Sequence, residues 1–141
     1  MEEKKKVLEI LKKNSLCVLS TSSIKGKSQS AVMVSVVKDD LTILFNTEIT
    51  TRKYKNVQEN EQVSIVFGGW SNDPTIQIDG IARELAGQEE IKAKEYMLSV
   101  NPELKEFFND EMGRFIEVKP IWVRYSDFSK NPPEVLEITD L

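Results

Sequence analysis

A run of threonine and basic side chains, Thr50-Thr51-Arg52-Lys53, lies where a predicted strand leads into a predicted helix. The first turn of a helix exposes free backbone N–H groups at the positive end of the helix dipole, so acidic side chains are usual there. Cations at this position indicate an external anion, bound jointly by N–H groups, a hydroxyl, a guanidinium and an ammonium, and a phosphate is the natural candidate. The alternative is a solvated basic face behind an ordinary threonine cap.

The side chains that support other chemistries are scarce. Histidine is absent, and Cys17 is the single cysteine. The chain therefore lacks the usual general base near neutral pH, the Ser-His and Cys-His pairs, and most zinc or haem ligands. Cys17 stands in the apolar run Leu16–Leu19 and is predicted to be a core side chain. We assign no metal site and no catalytic residue, and we expect any redox chemistry to come from an organic cofactor.

The composition is that of one globular domain over residues 1–141, with 40% hydrophobic and 30% charged side chains. The formal net charge of -4 disfavours a nonspecific nucleic-acid partner. Neither a signal peptide nor a membrane span is indicated, so we expect no membrane association and a cytoplasmic location.

Hydrophobic spacing predicts the elements that must position these residues. Apolar residues recur at helical spacing near the start, and later segments alternate or are rich in β-branched side chains. The predicted helices cover 2–13, 51–59 and 88–99, with another from Pro102, and the predicted strands cover 15–22, Ser28–Val37, Leu41–Thr47, Gln62–Phe67, 75–86 and 114–126. Pro120 should sit at an edge or bulge, and Val135–Ile138 should be extended.

Strands that follow one another closely favour antiparallel pairing, and about six of them suit a small barrel. We therefore predict a mainly β fold with flanking helices. Leu104, Phe107 and Phe108 give the helix from Pro102 an apolar face.

The order of two motifs is similar to that of a known family. Phe45-Asn46-Thr47 precedes Thr51-Arg52-Lys53, and Ile78–Leu85 follows as a Gly-x-Ala strand. This arrangement resembles the split β-barrels of the pyridoxamine-phosphate-oxidase-like superfamily, which bind flavin mononucleotide (FMN). The two helices before the last strand are most similar to the general-stress-protein-26-like branch.

The resemblance implies a homodimer with a flavin site at the subunit interface. Arg52 and Lys53 would bind the FMN phosphate, with Thr51 supplying a hydroxyl and an N–H group. Asn46 and Thr47 would lie beside the ribityl chain or the phosphate.

The resemblance also implies contacts with the flavin ring. Met33, Val34, Ser35 and Val36 would hydrogen-bond the isoalloxazine edge through backbone groups, although plain core packing explains the same valine-rich composition. Trp122, which shares a strand face with Arg124, would cover the ring or the substrate. A dimer-core tryptophan is the alternative reading.

Two departures separate this chain from the authentic oxidases. Alignment on Gly80 puts Thr75 where those enzymes have a glutamine, and Gln77 follows two positions later. We keep Thr75 as a candidate cofactor contact. The longer C-terminal region that holds pyridoxal phosphate is also missing, so we expect no oxidation of pyridoxamine phosphate.

Three functions are consistent with the sequence. The first is an FMN-dependent oxidoreductase with a small-molecule substrate or electron donor. The second is a noncatalytic, stress-related module that binds flavin or the deazaflavin F420; haem is disfavoured by the missing histidine. The third is an interaction module without a cofactor. Trp70, beside Gly68-Gly69, either gates a pocket or packs on the surface.

Overall fold

The fold is known from a computed structural model that describes residues 2–70 and 73–141. Its helices are α1 Glu2–Lys13, α2 Arg52–Glu59 and α3 Gln88–Val100, with a 3₁₀ helix at Pro102–Phe107. Its strands are β1 Leu16–Ser22, β2 Ser28–Val34, β3 Val36–Val37, β4 Ile43–Glu48, β5 Gln62–Phe67, β6 Thr75–Glu84, β7 Gly113–Asp127 and β8 Glu134–Ile138.

The strands form one antiparallel sheet with the order β2-β1-β5-β6-β7-β4-β3, and β8 pairs with β7. β2 and β3 lie at opposite ends of this order, although only Ser35 separates them in the chain. Because one residue spans less than about 4 Å, the sheet must curl until its two ends meet. The result is a barrel joined at Ser35 and split beyond it, which confirms the predicted mainly β split barrel.

The strand boundaries differ from the prediction by more than one residue in three places, one of which is the predicted strand 75–86, which ends at Glu84. The predicted strand Ser28–Val37 is two strands, because its first part pairs with β1 and its last two residues pair with β4. The predicted strand Leu41–Thr47 starts later, at Ile43, because Leu41 adopts a φ of 72° in the preceding turn. With β8 included, the sheet has eight strands rather than about six.

A bulge interrupts the pairing of the two longest strands. The register of β6 against β7 shifts between Asp79 and Gly80, where Gly80 pairs with Pro120. Pro120 cannot donate to a ladder, so the bulge there is as predicted. A Cβ on Gly80 would lie 2.5 Å from Cγ1 of Val118, which means that this close approach requires glycine.

The barrel interior is the main core. Phe45 and Phe67 are at most 1% exposed, and Val7 and Leu11 of α1 are buried in the same cluster. Cys17 is also buried, as predicted, and burial raises the pKa of its thiol to about 12. It is therefore a protonated core side chain at neutral pH.

A second core lies outside the barrel interior, between the helices and the outer face of the sheet. Met97 of α3 and Leu104 of the 3₁₀ helix are buried with Phe115 of β7. Phe108 meets Phe115 edge-to-face, with 5.2 Å between the ring centroids. Phe107, which was predicted on the same apolar face, is instead 73% exposed because the 3₁₀ geometry turns it away.

Candidate functional site

Two strand edges flank the split in the barrel. Within the described residues, β2 pairs only with β1, and β3 pairs with β4 only at Ile43 and Leu44. The remaining edge of β4 and the outer edge of β2 therefore carry backbone N–H and C=O groups without a strand partner. We call the gap between β2 and the segment Phe45–Lys53 the seam.

A cleft of about 360 Å³ opens at the seam. One wall is the β1–β2 hairpin, represented by Leu19, Thr21, Gln29, Ser30 and Ala31. The other wall is the start of α2, residues 50–53. We call this cavity the α2 cleft. The resemblance implied a phosphate at this helix start. It did not indicate that the β1–β2 hairpin forms the opposite wall.

A larger cavity of about 450 Å³ lies elsewhere, on the outer face of the sheet around Ser20, Ser64 and Asp79. Its lining contains no lysine or arginine. We expect an anion to bind more tightly in the α2 cleft than in this cavity, because two cations and a helix start border the α2 cleft.

Thr51 caps α2 and uses its polar groups within the protein. Its Oγ1 accepts the N–H of Tyr54 at 3.3 Å and donates to the carbonyl of Glu48 at 2.9 Å. The buried Thr47 hydroxyl lies 3.0 Å from the same oxygen, and the Thr51 N–H also donates to Glu48. Thr51 and Thr47 therefore hold the helix start in place. The N–H groups of Arg52 and Lys53 have no acceptor among the residues that the structure describes, so they are available to an external acceptor.

Arg52 is exposed and Lys53 is half-buried at the mouth of the α2 cleft. In the part of the chain that the structure describes, neither forms an ion pair with a carboxylate. Arg83, by contrast, contacts Glu89 and Glu117 at 2.8 and 2.7 Å. The first turn of α2 also lacks acidic residues. Among the described residues, therefore, no carboxylate pairs directly with either cation.

The outward side of α2 is tied to β6. The Tyr54 hydroxyl donates to Oε1 of Glu84 at 2.7 Å, and this hydrogen bond raises the Tyr54 pKa. Gln58 donates to the same carboxylate at 2.8 Å. These bonds fix the position of the helix and so the position of its first turn.

The inward side of α2 carries a buried amide. Nδ2 of Asn56 donates to Oγ1 of Thr21 and to Oε1 of Gln29, both at 3.0 Å. Sequence reasoning missed these three residues and the cleft-lining Ala31. The available signal was the inward-facing positions of an alternating hairpin, where polar and small residues replace the apolar residues nearer the core.

The segment predicted to border a flavin straddles the join between β2 and β3. Met33 packs against the barrel core, whereas Val34 lies on the outer face and is 38% exposed. Ser35 and Val36 are buried, and the Ser35 N–H donates to the Ser15 carbonyl at 2.8 Å. None of the four predicted residues lines the α2 cleft. A ligand in the seam would meet this segment through the backbone edge of β2.

The other predicted residues are more scattered. Asn46 lies on the face of β4 opposite Thr47; its buried Nδ2 has no hydrogen-bond partner among the described residues and would sit 3.2 Å from a Cβ on Gly113. Thr75 and Trp122 lie on the outer side of the sheet, and neither lines the α2 cleft. One chain therefore brings together Thr47, Thr51, Arg52 and Lys53 but not Thr75 or Trp122.

The loop after β5 leaves through Gly68 and Gly69, which have φ of 76° and 86°. Trp70 is 54% exposed and does not line the α2 cleft. Ser71 and Asn72, which belong to the predicted loop, lie outside the described residues.

Residues 2–70 and 73–141 contain no group of three or more His, Cys, Asp or Glu side chains placed to hold a metal ion. No helix among them is both long enough and apolar enough to span a bilayer.

Solved structures with the same fold come from several proteins. General stress protein 26 from Bacillus anthracis is 24% identical, with a TM-score of 0.75 over 98% of this chain and 100% of that one. A pyridoxamine 5'-phosphate oxidase-related, FMN-binding protein from Nostoc punctiforme is 10% identical, with a TM-score of 0.72 over 94% and 88%. A haem-storage protein from Vibrio cholerae is 14% identical, with a TM-score of 0.71 over 82% and 88%. These likenesses establish the fold.

The family follows from the sequence itself. A search of curated proteins found no match. The sequence profile described as pyridoxamine 5'-phosphate oxidase, however, matches residues 3–127, from α1 to the end of β7. This match covers most of the 141 residues. The chain therefore belongs to the pyridoxamine 5'-phosphate oxidase family of split barrels.

Proposed function

We propose that this protein is an oxidoreductase that binds FMN as its cofactor. The ring of FMN would lie at the seam and its phosphate in the α2 cleft. The observation that carries the proposal is the pair of cations, Arg52 and Lys53, that no carboxylate of the described chain neutralises at a helix start. The FMN-binding relative from Nostoc punctiforme supports the choice of cofactor.

The donor set at α2 fits a phosphate monoester. Two free N–H groups, a guanidinium and an ammonium converge there, and such a cradle is a general solution for phosphate binding. Thr51 and Thr47 contribute by holding the first turn rigid, since their hydroxyls are engaged with each other and with Glu48. A rigid cradle loses less entropy when it binds its anion.

The ring end of FMN fits the seam. Its isoalloxazine edge carries hydrogen-bond donors and acceptors, and the free edge of β2, which includes Met33 and Val34, offers backbone groups of both kinds. When bound, FMN supplies hydride or single-electron chemistry. The residues of this chain would bind it, orient it and exclude water from one side. No general acid or base is assigned.

The outer face of the sheet supports a homodimer. Val18 pairs with Val32 on one side and Val66 on the other, and Leu16 and Val34 extend this apolar row. Val32 is 66% exposed and Leu16 is 47% exposed. Contiguous exposed apolar surface of this kind marks an interaction site. We call these five residues the outer apolar face and propose that two copies meet there.

Such a dimer offers a role for Thr75 and Trp122, which do not line the α2 cleft of their own chain. Thr75 and Trp122 share the side of the sheet that carries the outer apolar face, and Ser30 links that side to the α2 cleft. We propose that the docked copies bring Thr75 and Trp122 of one subunit towards the seam of the other.

A matched pair of variants tests the dimer. Val32→Asp places a charge in the outer apolar face, whereas Ile24→Asp places one in the β1–β2 turn, where Ile24 is 73% exposed. Sedimentation velocity should show a dimer for the wild type and for Ile24→Asp, and a monomer for Val32→Asp. A monomeric wild type at micromolar concentration would refute the interface.

The cofactor is tested on the purified protein. Its absorption spectrum and the mass of the released small molecule distinguish FMN from F420, from haem and from an empty protein. Bound FMN that NADH or NADPH bleaches, and that an electron acceptor restores, supports an enzyme. FMN that no donor reduces supports the alternative of a noncatalytic flavin module. Failure to bind added FMN refutes the proposal.

A further inference from the structure

A buried amide joins the two walls of the α2 cleft. Asn56 is 5% exposed and lies on the inward side of α2. Its Nδ2 donates both hydrogen atoms to the opposite wall, to Oγ1 of Thr21 and to Oε1 of Gln29, each at 3.0 Å. Thr21 and Gln29 are direct cross-strand partners on β1 and β2. Both line the cleft.

This arrangement is costly unless every polar group finds a partner. A buried primary amide without hydrogen bonds is strongly unfavourable, and an apolar residue would pack at the same helix position without that risk. The Nδ2 group of Asn56 meets the requirement with two donated bonds across a gap that no described strand ladder closes. It therefore sets how α2 sits against the hairpin.

The direction of these bonds decides what the cleft offers a ligand. A threonine hydroxyl and a glutamine amide can each donate and accept. Asn56 occupies Oε1 of Gln29 and a lone pair of the Thr21 hydroxyl. The groups left over are the hydroxyl proton of Thr21 and the N–H groups at Nε2 of Gln29, and Nε2 makes no hydrogen bond within the described residues.

We propose that Asn56 is a positioning residue that turns Gln29 and Thr21 into hydrogen-bond donors for the phosphorylated end of the ligand. This inference rests on the proposed function. The side chains of Thr21 and Gln29 then direct donors at the anion, opposite the cations of α2. Because these groups bind the phosphate, the cleft selects FMN over riboflavin, which has the same ring and ribityl chain but no phosphate.

The experiment compares FMN and riboflavin affinities by fluorescence quenching in four variants. Gln29→Glu keeps the oxygen that accepts from Asn56 and removes the donor, and Thr21→Val removes the hydroxyl with little change of shape. Asn56→Ala removes the positioning group. Gln58→Ala is the matched control, because Gln58 lies on the same helix and bonds Glu84 on the outward side.

Gln29→Glu and Asn56→Ala should each weaken FMN binding by roughly 10-fold or more, since a hydrogen bond to a charged group is worth at least one power of ten in affinity. Thr21→Val should weaken it in the same direction. Riboflavin affinity should change by less than about 3-fold in all of them, and Gln58→Ala should leave both affinities near the wild type.

The possible outcomes distinguish a failure of the proposed FMN binding from a failure of the proposed role of Asn56. A wild type that does not bind FMN refutes the proposed function, and this inference with it. A wild type that binds FMN, with Gln29→Glu and Thr21→Val binding it equally well, overturns the inference alone. Equal losses of FMN and riboflavin in Asn56→Ala also overturn it, because a purely structural role would not discriminate between them. Thr21→Val keeps the test decisive if Gln29→Glu does not fold.

Discussion

Removing the two cations of the α2 cleft should separate phosphate binding from folding. A phosphate monoester carries a charge of about −1.5 to −2 near neutral pH, and each hydrogen bond between charged groups contributes roughly 1.5–3 kcal/mol. Arg52 is exposed, and solvent screens it, so the lower figure applies to each residue. The double variant Arg52→Ala/Lys53→Ala should then lose about 3 kcal/mol, or roughly 100-fold in FMN affinity.

The control variant is Lys55→Ala, which removes an exposed lysine further along the same helix. It should weaken FMN binding by no more than about 5-fold, since a charge outside the cradle contributes at most ~1 kcal/mol. Isothermal titration with FMN and with riboflavin, at low and high salt, measures all three proteins. Riboflavin affinity should be unchanged throughout. FMN affinity in the double variant within about 3-fold of the wild type, or a parallel loss of riboflavin, would refute the phosphate assignment.

Three further predictions follow from packing. Ala31→Phe should fill the α2 cleft and abolish FMN retention in equilibrium dialysis, and retained FMN would place the ligand elsewhere. Cys17 should resist iodoacetamide at mildly alkaline pH until the protein unfolds, because burial raises its pKa to about 12; fast native labelling seen by mass spectrometry would contradict this. Gly80→Ala should destabilise the fold by about 1–3 kcal/mol in urea unfolding, since its Cβ meets Val118 at 2.5 Å; an unchanged midpoint would contradict the close approach.

Much of the fold was predictable because local pattern and tertiary role agree. The alternation in β6 places Ile76 and Ile78 inside the barrel, and both are buried. Thr51 was predicted to begin a helix, and it caps α2. Pro120 was expected at a bulge because it lacks an N–H group, and the register shifts there. For Thr51 and Pro120, the residue type alone limits the backbone to few arrangements.

The remaining features depend on contacts between distant parts of the chain. Ser28–Val37 is one extended run by composition, and only the partners β1 and β4 divide it at Ser35. Phe107 has the spacing of a buried residue, but a 3₁₀ rather than an α geometry exposes it. Asn56 is an ordinary polar residue in a charged helix until the hairpin is folded against it. No local pattern carries that information.

The unclosed barrel has a consequence for self-association. Where two strand borders come near each other without bonding, each remains a template on which a foreign extended segment can add. Among the described residues, the backbone joins those borders at Ser35, and Asn56 crosses the gap by hydrogen bonds. A flat molecule lodged between them would shield both from such additions. A molecule that fills this opening would therefore also protect against aggregation, and its loss would expose the protein to strand exchange with its neighbours.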